Sequence, residues 1–242
     1  MGAWVLTEVW SYRRSAVAAV FSDHTRPASP LDPFRPAPSF DAPRAAPVTS
    51  AAARVIATLE RVERRARVSS YRHRRSVDER RGVYHWDCSG MASWVLRRSA
   101  PRARGSLGQG RVVARRFARR ISRAPTERGR RGWQRLEHIG EARPGDVFAW
   151  ERPPDFPSRN TGHVGFVVRR PQRLSDEVWA VRILDATSLA HQSDTRLDGA
   201  TGLGRGTMTF VTDGRGHAQG YGWRGTDSLG YIETPVYFGR VH

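Results

Sequence analysis

Lysine is absent from this chain of 242 residues, so all 41 positions that could hold lysine or arginine are arginine. With only 23 acidic residues, the formal net charge is +18, which is typical of proteins that bind nucleic acids or other polyanions. A GC-rich coding sequence produces the same bias toward arginine without selection for a ligand. The charge alone therefore does not assign the chain to a nucleic-acid-binding class.

Cysteine is nearly absent as well, since the chain contains one, Cys88. A single thiol excludes a disulfide within the chain and a structural zinc site built from several thiolates. A lone cysteine is ordinarily a small buried apolar residue unless its neighbours supply chemistry. We expect neither a metal nor another cofactor, because the chemistry described below needs only protein side chains.

Long apolar runs are also lacking. No segment approaches the ~20 apolar residues that a membrane-spanning helix needs, so a soluble or peripheral protein is expected. Near the N-terminus, Arg13 and Arg14 precede a short apolar stretch at 16–21, although Glu8 lies ahead of them. A charged region followed by an apolar one leaves a secretory signal open.

Proline is concentrated in one place, with seven prolines between residues 26 and 47. That composition favours extended chain over packing. We interpret residues 1–49 as a leader and linker, and residues 50–242 as one folded domain.

Apolar residues recur at helical spacing in three parts of this domain. The predicted helices cover about 51–67, with Ser50 as the candidate N-cap, a segment that begins at or just after Cys88, and about 111–122.

After residue 146 the pattern changes to short β-branched and aromatic runs separated by Gly, Pro, Asp or Ser. The runs at 163–168 and 178–184 are predicted to form a hairpin around 171–176. Helices followed by a series of strands predict an α+β domain with N-terminal helices packed on a largely antiparallel sheet. The predicted strands are 147–150, 163–168, 178–184, 207–211 and 234–238.

The position of Cys88 at a predicted helix start favours nucleophilic chemistry. Free backbone N–H groups and the helix dipole stabilise a thiolate there, so we expect a lowered pKa. The same N–H groups can donate to the oxyanion that forms when an acyl carbon is attacked. Ser89 and Gly90 keep the adjacent backbone slim enough for a substrate to approach.

A thiol nucleophile needs a base, and His163 is the candidate because it opens an apolar strand directly after turn residues. Asp185 ends the next strand of the hairpin. Because the start of one antiparallel strand lies beside the end of its partner, His163 and Asp185 should be neighbours. Asp185 would then orient the imidazole, with His191 as a substitute.

Three short segments together resemble the NlpC-type cysteine peptidases of bacterial cell walls: Asp-Cys-Ser-Gly at 87–90, Pro-Gly-Asp at 144–146 and Gly-His-Val-Gly-Phe-Val at 162–167. The resemblance extends over about residues 52–242. It implies a papain-like α+β fold and cleavage of amide bonds in peptidoglycan stem peptides, often next to D-glutamate. It also implies a place in the periplasm or cell envelope, although a cytoplasmic protein stays open. Relatives of the family include acyltransferases and amidases.

By this resemblance, Cys88 is the nucleophile, His163 the base and Asp185 the residue that orients the base. Asp87 and Ser89 match positions that contact the free amine of the substrate in related enzymes.

The family's tyrosine at the oxyanion and substrate site is matched by Tyr71, with Tyr84 as the alternative.

Three departures from the family pattern bear on the substrate more than on the reaction class. The interval from His163 to Asp185 is longer than is typical of the family. Residues 77–84 replace the usual Gly-Gly segment before the nucleophile. An arginine-rich insertion at 97–131 follows the nucleophile helix.

The alternative from a different class is a nucleic-acid or anionic-polymer binder on an inactive hydrolase fold. On the third predicted helix the arginines lie opposite the apolar residues, which describes either a phosphate-binding surface or a solvated face. Such a surface could also hold an enzyme on an anionic envelope. A glycine cluster at 202–206 lacks the strand-then-helix context of a nucleotide loop. The arginines concerned are Arg111, Arg115, Arg116, Arg119, Arg120 and Arg123.

Overall fold

A large antiparallel sheet and a small group of helices form the folded part of the chain. The computed structural model describes residues 45–158 and 160–242, which all belong to one compact unit. The predicted leader at 1–49, with its candidate secretory segment, lies outside the described residues except for its last five positions.

Four α-helices and two 3-10 helices occur in the described ranges. The first helix begins one residue earlier than predicted and ends two residues earlier. Its N-cap is Thr49 instead of Ser50, because the Thr49 hydroxyl accepts a hydrogen bond from the Ala52 N–H at 3.0 Å. The α-helices are α1 Ser50–Arg65, α2 Cys88–Ser99, α3 Pro101–Gly105 and α4 Ala114–Ser122, and the 3-10 helices are Ile139–Glu141 and Gly225–Asp227.

Each of these helices is too short or too polar to cross a bilayer. The third predicted helix, about 111–122, is confirmed only from Ala114 onward, since Val113 is still extended. Helix α3 was not predicted.

The strands include all five that the sequence predicts, with shifted ends. The missed ones are mostly two to five residues long, and several lie among arginines that hide their alternation. The strands are β1 Val68–Tyr71, β2 Ser76–Asp78, β3 Val83–Trp86, β4 Trp133–Leu136, β5 Val147–Glu151, β6 Gly162–Val167, β7 Gln172–Arg173, β8 Val178–Thr187, β9 Gly202–Thr212, β10 Ala218–Gly222, β11 Ile232–Glu233 and β12 Val236–Val241.

Strand order in the large sheet is β11-β10-β9-β8-β6-β5-β12-β4, with β7 paired to β8, and every pairing is antiparallel. Strands β1, β3 and β2 form a separate small sheet in which β1 and β3 are parallel. The architecture is therefore mixed α+β with a large antiparallel sheet, as predicted.

The two faces of the central strands bury different clusters, because side chains alternate along a strand. On β5, Val147 and Ala149 join the cluster that contains the helices α1, α2 and α4, whereas Phe148 and Trp150 join the cluster on the opposite face. Phe166 of β6 is fully buried on the helix side, and such burial contributes about 1.5–3 kcal/mol. The large sheet therefore has a hydrophobic core on each of its two faces.

The Pro-Gly-Asp segment at 144–146 leads into β5 and packs against α1. Gly145 has a φ of +91°, and its Cα lies against the carbonyl of Ala52 in α1, where a side chain would collide. Asp146 is fully buried and accepts hydrogen bonds from the Arg143 N–H at 2.8 Å and from Arg240 on β12 at 2.9 Å. A glycine and a buried carboxylate are both required by this geometry.

We predict that Gly145→Ala destabilises the fold by about 2 kcal/mol or more, since it combines a left-handed φ with a collision against α1. Gly214→Ala is the matched control, because Gly214 has no positive φ and nothing lies within 4 Å of the added carbon. Urea unfolding at neutral pH measures both variants. Equal stability of the two would contradict the prediction.

Candidate active site

Cys88 is the first residue of α2, as the sequence predicts, and Asp87 is the N-cap. The Asp87 carboxylate accepts hydrogen bonds from the Gly90 N–H at 2.6 Å and from the Ser89 hydroxyl at 2.9 Å. A side chain at Gly90 would approach this carboxylate at 3.0 Å. The Asp-Cys-Ser-Gly segment therefore encodes a cap that fixes the thiol at a helix N-terminus.

The expected lowering of the Cys88 pKa does not occur. Burial raises it to about 12, the negative charge of Asp87 adds to the effect, and the backbone N–H of Val164 opposes it together with that of Ser89. Only 5% of Cys88 is exposed, so desolvation exceeds what a helix N-terminus supplies. The resting residue is a neutral thiol that lies against the backbone of Val164, next to His163 in the chain.

His163 and Asp185 are neighbours, as the hairpin predicts. The Nε2 atom of His163 on β6 lies 2.7 Å from Oδ2 of Asp185 on β8. Gly165 makes this possible, because a side chain there would collide with the ring of Phe148 at 2.6 Å and press on Asp185 at 3.1 Å. Both partners are buried, with His163 8% exposed and Asp185 fully enclosed.

The pKa values of this pair move in the directions that suit a base and its orienting anion. Burial lowers the pKa of His163, and its hydrogen bond to Asp185 opposes this. Burial alone would raise the pKa of Asp185, but the charge of His191 and the hydrogen bonds from both histidines hold it well below its usual range. Asp185 is therefore a carboxylate and His163 a neutral imidazole at neutral pH.

Two further side chains bind the same carboxylate. Nε2 of His191 lies 2.9 Å from Oδ2 of Asp185, and Arg196 donates to Oδ1 at 2.5 Å. The other ring nitrogen of His191 faces the carbonyl oxygen of Trp223 at 2.9 Å, so only the imidazolium form donates to both acceptors. Asp185 is therefore the residue that contacts His163, whereas the ring nitrogens of His191 contact Asp185 and the carbonyl oxygen of Trp223.

The segment 188–201 that carries His191 and Arg196 lies on strand β9, where glycines leave room for it. A side chain at Gly204 would collide with Arg196 at 2.6 Å, and one at Gly206 would collide with His191. Gly202 gives the same close approach to β1. Glycines at alternate positions of β9, at 202, 204 and 206, are a sequence signal that another segment packs closely on this strand. The sequence analysis did not identify Arg196 from it.

An aromatic wall encloses the histidine ring. The ring centroids of Trp150 and Trp223 each lie 5.1 Å from that of His163, and Trp223 lies 4.2 Å from His191. These rings account for the burial that lowers the pKa of His163. Trp223 follows β10 in a loop, and no sequence pattern pointed to it.

In the ranges 45–158 and 160–242, no group of three or more His, Cys, Asp or Glu residues could hold a metal ion.

The two candidate tyrosines occupy different environments. Burial raises the pKa of Tyr71 at the end of β1. Its ring makes an edge contact with the ring of His73 at 5.6 Å between centroids, and Nδ1 of His73 lies 3.5 Å from Oδ2 of Asp87, the residue before the thiol. Tyr84 is 1% exposed and packs against the rings of Trp86 and Trp94. Tyr71 lies at the site, and Tyr84 lies in the core.

The arginine-rich segment 97–131 is folded against the domain. Phe117 and Ile121 of α4 are buried, while Arg115 and Arg116 are exposed and Arg119 makes a two-pronged ion pair with Glu151. Arg111, which the sequence placed on the same surface, instead lies before α4 and pairs with Asp87 at 3.0 Å. One arginine of the set therefore reaches the nucleophile helix.

We predict that Asp185→Asn costs about 3–5 kcal/mol of stability at neutral pH, because it leaves Arg196 and His191 buried without their anion. The folded pKa of Asp185 is depressed, so its stabilisation is present above about pH 4 and is lost as pH falls through the folded value. The deficit of the variant should therefore shrink at pH 3.

Urea unfolding at both pH values measures this difference. Asp213→Asn is the control, because Asp213 is half-buried and pairs with the half-exposed His217, an interaction worth below about 1 kcal/mol. A deficit for Asp185→Asn that equals the control, or that is the same at both pH values, would exclude the proposed dependence on the anion.

Comparison of the chain with protein-family models, with curated proteins and with solved structures finds no significant match to any of them.

Proposed function

We propose that the protein is a cysteine peptidase or amidase that hydrolyses amide bonds, with Cys88 as nucleophile, His163 as base and Asp185 as the residue that orients the base. The observation that carries the proposal is the buried hydrogen bond from His163 Nε2 to Asp185, beside a helix that begins at the thiol. A carboxylate that holds a neutral histidine at a nucleophile is the logic of Cys-His and Ser-His hydrolases.

The hydrogen bond also determines which nitrogen is the base. Because Nε2–H of His163 donates to Asp185, the lone pair of the neutral ring is on Nδ1. Nδ1 would take the thiol proton as sulfur attacks the acyl carbon, and would return it to the departing amine. Nδ1 then takes a proton from water as the water attacks the thioester, and it returns the proton to the sulfur of Cys88.

The directions of the pKa shifts favour a neutral resting pair over a thiolate–imidazolium pair. Proton transfer from Cys88 to His163 is then coupled to the attack on the substrate. The ionised Asp185 stabilises the imidazolium that forms, and the backbone N–H of Cys88 at the start of α2 would donate to the oxyanion. Tyr71 is our candidate for a further contact to the oxyanion or substrate.

The substrate class rests on the resemblance to NlpC-type enzymes. A helix that begins at the cysteine, packed on an antiparallel sheet whose strand β6 begins beside the histidine, is consistent with a papain-like domain of that type. We therefore propose peptidoglycan stem peptides as the substrate and the cell envelope as the location of the protein. The exposed arginines of α4 would hold such an enzyme against anionic envelope polymers.

We predict that Cys88→Ala abolishes the release of soluble fragments from purified peptidoglycan and that His163→Ala lowers it by about a thousandfold or more. His217→Ala is the matched control, since His217 is a half-exposed histidine paired with Asp213. Mass spectrometry of the products identifies the scissile bond. Fragments that persist unchanged with Cys88→Ala would refute the thiol mechanism.

We further predict a shifted pH profile of kcat/KM. The base must be neutral to accept a proton, and burial lowers the pKa of His163 from its ordinary 6.5, so the acid limb should lie below pH 6.5. Initial rates from pH 4 to 9 on one soluble muropeptide measure this. An acid limb well above pH 6.5 would show that another group is the base.

A further inference from the structure

Side chains and backbone of this chain already contact both oxygens of the Asp87 carboxylate. Its Oδ1 accepts from Gly90 and Ser89, and its Oδ2 lies 3.0 Å from a guanidinium nitrogen of Arg111 and 3.5 Å from Nδ1 of His73. The side chain of Asp87 is only 8% exposed, whereas those of Arg111 and His73 are 62% and 68% exposed. A molecule that approaches from solvent therefore meets the cation and not the carboxylate.

The fold holds Arg111 in this place. The Arg104 guanidinium donates to the carbonyl oxygens of Gly108 at 3.0 Å and Gly110 at 3.2 Å, and its Nε donates to Ser93 of α2 at 2.5 Å. Gly108 and Gly110 both have positive φ, at +91° and +71°, which shapes the turn that ends at Arg111. The turn is thus tied to the nucleophile helix.

A second arginine lies at the same place. The Cβ of Arg75 lies 3.9 Å from the position of an added carbon on Gly90. The ring of His73, whose Nδ1 faces Asp87, makes an edge contact with the Tyr71 ring at 5.6 Å between centroids. Arg111 and Arg75 therefore form a basic rim at the start of α2, where Cys88 lies.

We propose that this basic rim binds a carboxylate of the substrate next to the scissile amide, and that the substrate presents no free amine at this position. The inference rests on the proposed thiol hydrolase and specifies its substrate. Arg111 uses one N–H group on Asp87, and its remaining donors suit the planar, two-oxygen geometry of a carboxylate. A free amine would instead meet like charge and an occupied Asp87.

Alkylating reagents of similar size but different charge test the rim without knowledge of the substrate. Rates of Cys88 alkylation by iodoacetate, iodoacetamide and 2-bromoethylamine are each divided by the rate with a small neutral model thiol. The normalised rate for iodoacetate should exceed that for iodoacetamide by about three- to tenfold at low salt, and 2-bromoethylamine should be the slowest.

Arg111→Gln should remove most of the preference for iodoacetate, while Arg111→Lys should keep much of it. Arg115→Gln is the control, because it removes the same charge from an exposed position on α4 of the same segment. A circular dichroism melt of each variant verifies folding. Equal normalised rates for the three reagents, or a preference that Arg111→Gln leaves intact, would overturn the carboxylate site while the nucleophile stands. Failure of all three reagents to label Cys88 in the folded protein would overturn this inference, and the thiol hydrolase falls with it when the peptidoglycan digest also releases no fragments.

Discussion

The site depends on one buried anion, the carboxylate of Asp185. It accepts hydrogen bonds from His163, His191 and Arg196, and the three donors come from β6 and from the segment before β9. An enclosed carboxylate is tolerated only when such donors surround it. The arrangement that keeps Asp185 ionised therefore also joins the segment 188–201 to the sheet, so that structure and chemistry share the same bonds.

Burial determines the character of the thiol as well. A cysteine at a helix N-terminus is usually described as activated, but Cys88 lies in a core of apolar side chains and next to Asp87. Both effects disfavour the thiolate more strongly than two backbone N–H groups favour it. Under the proposed mechanism the nucleophile stays protonated until a substrate arrives, and a protonated thiol is also less prone to oxidation than a thiolate.

Local patterns in the sequence were sufficient for the features that depend on neighbouring residues or on a single hairpin. The helix start at Cys88 and the proximity of His163 to Asp185 both follow from spacing and antiparallel geometry. Arg196 was missed, because the glycine spacing on β9 indicates that another segment packs there but not which residue of the long connection does so. The pKa of Cys88 was mispredicted for a related reason, since burial depends on packing between distant segments.

The glycines of β9 have a consequence for how this site tolerates mutation. Gly204 and Gly206 carry no functional group, yet Arg196 and His191 occupy the space where their side chains would be. A change to alanine would displace the donors to the Asp185 carboxylate while Cys88 and His163 stay intact in sequence. Under the proposed mechanism, a chain with alanine at either position would lose activity although all of its reactive residues are present.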